Sequence, residues 1–126
     1  MRDLHFTNPN EESEEAMSPT EKTAHLNDKA RRGLLPGSTK MLLTRMVAAL
    51  PDPTLLYLRR AVAEFDAFTE DNDPYGERDF GSLDLEGERY FWKIDYYDRS
   101  LRFGAEDPSD TTETVRVLTL MHASEY

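Results

Sequence analysis

The sequence contains no cysteine. That excludes a disulfide framework, thiolate metal sites and a cysteine nucleophile, and it fits a cytoplasmic protein. No apolar run approaches the roughly 18–20 residues that a membrane span needs, so no membrane contact is expected. The N-terminus is acidic and lacks the basic-then-apolar order of a secretory signal. Glycine is sparse, 6 in 126 residues, and Gly76, Gly81 and Gly87 fit neither G-x-x-x-x-G-K nor G-x-G-x-x-G. No Gly-x-Ser-x-Gly elbow occurs. His5, His25 and His122 are scattered and show no paired-histidine spacing. No catalytic residue and no cofactor is assigned on these grounds.

Basic residues are also few, and unevenly placed. The net charge is −10. Residues 21–45 carry six bases and two acids, whereas residues 66–126 carry sixteen acids and six bases. Such a chain is repelled by nucleic acid at long range, so direct nucleic-acid binding is not expected. Such charge can meet a basic partner surface, and the alternative is that it simply keeps the protein soluble.

Hydrophobic residues make up 38% of the chain, a deficit concentrated at the N-terminus. Residues 1–17, with Glu11-Glu12-Ser13-Glu14-Glu15, have almost nothing to bury and are expected to form a disordered acidic tail. Residues 18–126 are expected to form a single α+β domain.

Ser18-Pro19-Thr20-Glu21 has the pattern of a capping box with proline at the first helical position. It predicts a helix to Arg32, stopped by Gly33, with a thin apolar stripe of Leu26 and Ala30 that suits a surface helix. Lys29, Arg31 and Arg32 favour a helix C-terminus, and can also form a contact patch. After Pro36-Gly37, Lys40–Ala49 reads as a strand, with a buried helix as the alternative for so apolar a run. Asp52-Pro53 then opens a helix over residues 53–68, where Leu55, Leu58, Val62 and Phe65 recur at helical spacing. Ser82–Leu85 and Glu88–Asp98 flank Glu86-Gly87 as a hairpin. A short strand is expected at Leu101–Phe103 and a strong one at Val115–His122. The fold class is α+β: an antiparallel sheet of four to five strands with two helices packed on one face.

Between the second helix and the hairpin lies Glu70-Asp71-Asn72-Asp73-Pro74-Tyr75-Gly76-Glu77-Arg78-Asp79, a tight polar loop of the kind that carries function on a rigid scaffold. Asp71, Asp73, Glu77 and Asp79 offer hard oxygen ligands for a divalent cation. The EF-hand pattern is only half met. With Asp71 first, Asp73 and Gly76 fall correctly, but Tyr75 and Ser82 stand where ligands are required. The other reading is an Asx-rich turn in which Asp71 or Asn72 caps local backbone N–H groups and Pro74 and Gly76 fix the bend. Lys93 and Asp95 share a strand face between Phe91 and Tyr97, as a half-buried ion pair or a ligand-contacting face. Six aromatic residues between Tyr90 and Phe103 exceed what one face of a small sheet buries, leaving one or two for contact. The binding candidates are therefore Asp71, Asn72, Asp73, Tyr75, Glu77, Asp79, Trp92, Lys93 and Asp95.

Several segments resemble a family of small bacterial proteins classed as a domain of unknown function. They are Leu26-Asn27-Asp28 with Arg31, Val47-Ala48-Ala49-Leu50-Pro51, Phe65-Asp66-x-Phe68, and Asp71-Asn72-Asp73-Pro74-Tyr75-Gly76-Glu77-x-Asp79-Phe80-Gly81. Phe91-Trp92-Lys93-Ile94-Asp95-Tyr96-Tyr97-Asp98, Asp107-Pro108 with Asp110, Arg116-Val117-Leu118-Thr119 and Glu125-Tyr126 complete the pattern. Members occur mostly in alphaproteobacteria, often on plasmids or other mobile elements. Many carry His where this chain has Arg78. The resemblance covers residues 19–126 and implies no activity, cofactor or catalytic residue. Its setting suits an accessory protein acting on a DNA-binding host or defence protein. Three functions stay open: a non-enzymatic protein-interaction module, a divalent-metal-dependent hydrolase or nuclease using loop 70–79, and a ligand-binding regulatory module with a pocket beside Trp92 and Lys93.

Overall fold

The computed structural model describes residues 16–126. The expected acidic tail therefore falls, but for its last two residues, outside the described residues.

Helix α1 spans Pro19–Arg31 and begins as its capping box requires. The Ser18 hydroxyl accepts from the Glu21 N–H at 3.1 Å and the Glu21 carboxylate from the Ser18 N–H at 2.9 Å. The expectation of a surface helix is corrected. Thr23, Asn27, Asp28 and Arg31 are buried with Ala24, Leu26 and Ala30, so polar side chains widen the inward face that the apolar stripe alone made thin.

The segment expected as one strand over residues 40–49 is split. Strand β1 covers Thr39–Leu43 and a short helix, α2, covers Arg45–Ala48. The cause lies in the partner strand. β1 runs parallel to β4, Val115–His122, and its ladder ends at Leu43 opposite Leu120. Just beyond, β4 gives way to a 3₁₀ turn at Ala123–Glu125, so no neighbouring backbone remains to pair with residues 45–49. Those residues satisfy their own N–H groups instead, Ala48 on Thr44 O at 2.8 Å and Ala49 on Arg45 O at 3.2 Å. Glu125 fixes the junction, accepting from the Thr44 hydroxyl at 2.6 Å and the Met46 N–H at 2.9 Å.

Helix α3 spans Asp52–Glu64, so Asp52 lies inside it and the expected end at residue 68 is too late. Phe65 is already extended, with φ −60° and ψ 130°. Leaving the helix lets Phe65 and Phe68 set their edges against Trp92, with ring centroids at 5.6 and 6.1 Å. The hairpin expectation holds. Strand β2, Phe80–Leu85, and strand β3, Glu88–Tyr97, join through Glu86 and Gly87. Both turn residues have positive φ, 54° and 81°, as a two-residue hairpin loop demands. Leu101–Phe103 is not a strand. Beside it, Tyr97 and Gly104 make one isolated bridge.

Among the described residues the sheet has four strands in the order β1-β4-β3-β2 and is mixed, antiparallel apart from β1. The α+β expectation therefore stands, with α2 as a third helix. One sheet face meets the helices around Val47, Leu58, Val62, Tyr90, Trp92, Ile94, Leu118 and Leu120. No helix among the described residues is long and apolar enough to cross a membrane.

Candidate functional site

Loop 70–79 is built from its own polar side chains. Asn72 accepts from the Thr69 N–H at 2.7 Å and donates its amide to Ala67 O at 2.8 Å. The Thr69 hydroxyl accepts from the Asn72 N–H at 3.2 Å. Asp73 accepts from the Arg78 N–H at 3.0 Å, closing the loop over a residue with φ 57°, a conformation that L side chains seldom adopt. Asn72 thus holds backbone, as the Asx-turn reading expects, and Asp73 rather than Asp71 joins it. Asp71 is exposed, and Tyr75 projects with 83% of its surface free.

The far end of the loop is tied to α1 and the sheet. Asn27 donates its amide to Glu77 O at 2.9 Å and to the Tyr96 hydroxyl at 2.8 Å. That hydroxyl donates to the Glu77 carboxylate at 2.9 Å. Burial pushes the Tyr96 phenol upward, so it stays protonated and can keep donating. Arg116, fully buried in β4, donates to Asn27 Oδ1 at 2.6 Å and to Pro108 O. A second link runs through Asp28, which accepts from Arg31 of its own helix and from Arg78 of the loop, the latter at 2.9 Å. Arg31 reaches on to α3, donating to Val62 O at 2.8 Å and Phe65 O at 3.0 Å. A guanidinium thus stands where the helix dipole favours positive charge, but on a neighbouring helix rather than its own. It also lies 4.8 Å from the Trp92 ring centroid, a cation–π distance.

The structure separates several candidates that the sequence placed together. Trp92 points into the core and is fully buried, whereas Lys93, the next residue, points to the opposite sheet face. The expected pocket beside both is therefore corrected: the sheet itself lies between them. Lys93 and Asp95 do form the expected half-buried ion pair, at 3.0 Å. Asp79 sits at the loop's junction with β2, its carbonyl accepting from the Ile94 N–H at 2.8 Å. Burial, with Glu77, Asp73 and Asp95 nearby, holds its carboxyl above the ordinary range. Among the described residues, no three acids or histidines gather closely enough to hold a metal ion.

The face turned away from the helices is the more contact-like surface. Strand register sets Leu42, Thr119, Lys93 and Phe80 in one row across it, and Lys40, Val117 and Asp95 in the next. A shallow hollow of about 250 Å³ opens between Lys40, Leu42, Tyr97, Leu101 and Val117. At the other end Tyr126 lies over Phe80 and Phe91, with ring centroids at 5.7 and 5.3 Å, yet 75% of it is exposed. Sequence reasoning missed Leu42, Leu101, Phe80 and Tyr126 as surface residues. The alternation of β3 signalled a second aromatic face, but the residues completing it come from four other segments. Arg31 and Arg116 were missed as buried links because nothing local marks an arginine as internal.

The chain belongs to the family described as Protein of unknown function (DUF3768), whose model matches residues 43–125. No curated protein and no solved structure matches the chain.

Proposed function

We propose that this member of the DUF3768 family is a small non-enzymatic interaction protein whose helix-free sheet face docks onto a basic protein surface. One observation carries the reading: that face presents the solvent-exposed apolar anchors Leu42, Leu101 and Tyr126, while its acids Asp84 and Asp95 are paired with Arg89 and Lys93, so the net charge of the chain alone points to a basic partner. Apolar and aromatic anchors supply most of the binding energy at interfaces, and surrounding charge sets the partner and the encounter rate. The net charge of −10 favours a partner of opposite sign. DNA-binding proteins of the cytoplasm carry such surfaces, and an accessory protein of a mobile element has reason to occupy them. Asp73 and Glu77 of the loop are already engaged, by the Arg78 N–H and the Tyr96 hydroxyl, which favours this reading over a metal-dependent hydrolase.

The test is capture of a basic protein from host extract by the immobilised full chain, repeated with Leu42→Ala/Leu101→Ala. Both residues are exposed, so the variant keeps its fold. The expected result is capture that weakens with added salt and falls at least about tenfold in the variant, as loss of two interface anchors implies. Capture equally strong in the variant, or of acidic proteins only, would sink the reading.

A further inference from the structure

A hollow of about 520 Å³ opens on the helix side of the molecule, between the end of α1, β1 and α3. Its lining includes Arg31, Arg32, Arg59 and Arg60 and not one carboxylate. In a protein of net charge −10 this is a local reversal of sign. Among the described residues Arg32, Arg59 and Arg60 form no ion pair. Nor are they occupied by the end of α1. The carbonyls of Asp28, Lys29 and Ala30 already accept backbone N–H groups from Arg32, Leu34 and Gly33.

Arg31 is itself buried and engaged with Asp28 and the last carbonyls of α3, so Arg32, Arg59 and Arg60 supply the exposed positive charge of the lining. The rest of the wall is apolar, with Leu35, Pro36, Met41 and Leu56, and the volume lies within the roughly 300–1,000 Å³ typical of small-molecule sites.

We propose that this hollow binds a small organic oxyanion, a phosphate or carboxylate group on an apolar body. Arg59 and Arg60 hold the anionic group through the paired N–H donors that suit such oxygens, and Leu35, Pro36 and Leu56 flank the body. The proposal is independent of the sheet-face reading, because the hollow lies among the helices and shares no residue with that face.

Calorimetric titration of the full chain with phenyl phosphate, benzoate and inorganic phosphate tests it, alongside Arg59→Ala/Arg60→Ala. Both arginines are exposed, and circular dichroism checks that the variant is folded. Phenyl phosphate or benzoate is expected to saturate one site and to bind at least about tenfold more tightly than inorganic phosphate, since the apolar wall adds burial to charge. The double variant is expected to lose about tenfold or more, the scale of a charge-assisted hydrogen bond. Whichever organic probe binds better identifies the oxyanion. Absence of saturation by all three probes, equal binding of phenyl phosphate and inorganic phosphate, or unchanged affinity in the variant would each overturn it.

Discussion

Gly81 stands opposite Trp92 across the β2–β3 ladder, and a Cβ at position 81 would lie 2.3 Å from the indole Nε1. The indole has nowhere to retreat. Phe65 and Phe68 present their edges to it and Arg31 lies over its ring. Gly81→Ala is therefore expected to cost at least about 1–3 kcal/mol, the range for overpacking a tight core. Urea unfolding followed by Trp92 fluorescence measures it. Wild-type stability in the variant would contradict the close approach.

Arg31 joins Asp28 to the last carbonyls of α3. Arg31→Ala leaves a buried carboxylate and two carbonyls short of donors. The expected loss is about 3–5 kcal/mol, as for breaking a buried ion pair from one side. Arg31→Lys keeps the charge but has no planar fork to serve three acceptors, so it is expected to recover only part of the loss. Full recovery in chemical denaturation would mean that charge alone matters there.

Tyr96→Phe removes the hydroxyl that accepts from Asn27 and donates to Glu77. A loss of about 1–3 kcal/mol is expected from partners left unpaired in a partly buried place. Hydrogen exchange should quicken in residues 76–79, which these bonds tether. A variant as stable as the parent, with unchanged exchange in that segment, would show that the hydroxyl does not hold the loop.

Asp79 confers a signed pH dependence. Its carboxyl is raised in the folded chain, first by burial and then by Glu77, Asp73 and Asp95. Its contribution is therefore fully present below the ordinary carboxylate range and is lost as pH rises through the folded value. Asp79→Asn removes that loss, so the variant should melt above the parent at neutral pH. The difference should shrink on acidification to the ordinary carboxylate range. A gain that does not depend on pH would contradict burial of the carboxyl as its cause.

The local elements were legible in the sequence because their signals are local. Ser18 to Glu21 spells a capping box, Glu86-Gly87 a tight hairpin, and the β-branched and leucine-rich run at Val115–His122 a strand. Lys40–Ala49 was not, since its apolar residues satisfy either period and the choice was made by where β4 ends. The end of α3 was hidden for a similar reason: Phe65 and Phe68 keep the helical spacing but are drawn off by Trp92. The depth of helix α1 was hidden because hydropathy cannot see polar groups buried with their partners. At the candidate site, the loop residues were visible, and the Asx-turn pattern pointed to Asn72 as a cap for backbone N–H groups, though not to Asp73. The clustering of Arg31 and Arg32 with Arg59 and Arg60 was not visible, because only the packing of α1 beside α3 brings them together.

The strand order has a consequence for how the chain is made. β1 is synthesised early but lies beside β4, and among the described residues no other strand borders it. Everything from Thr44 to Thr114 must leave the ribosome before β1 can find its neighbour, and Asn27 waits equally long for Arg116. Closing so long a loop is entropically unfavourable, and contacts so distant in sequence slow folding. Met41 and Leu42 therefore pass through the time of synthesis uncovered and unpaired, a window in which an emerging chain is open to aggregation and to chaperone binding.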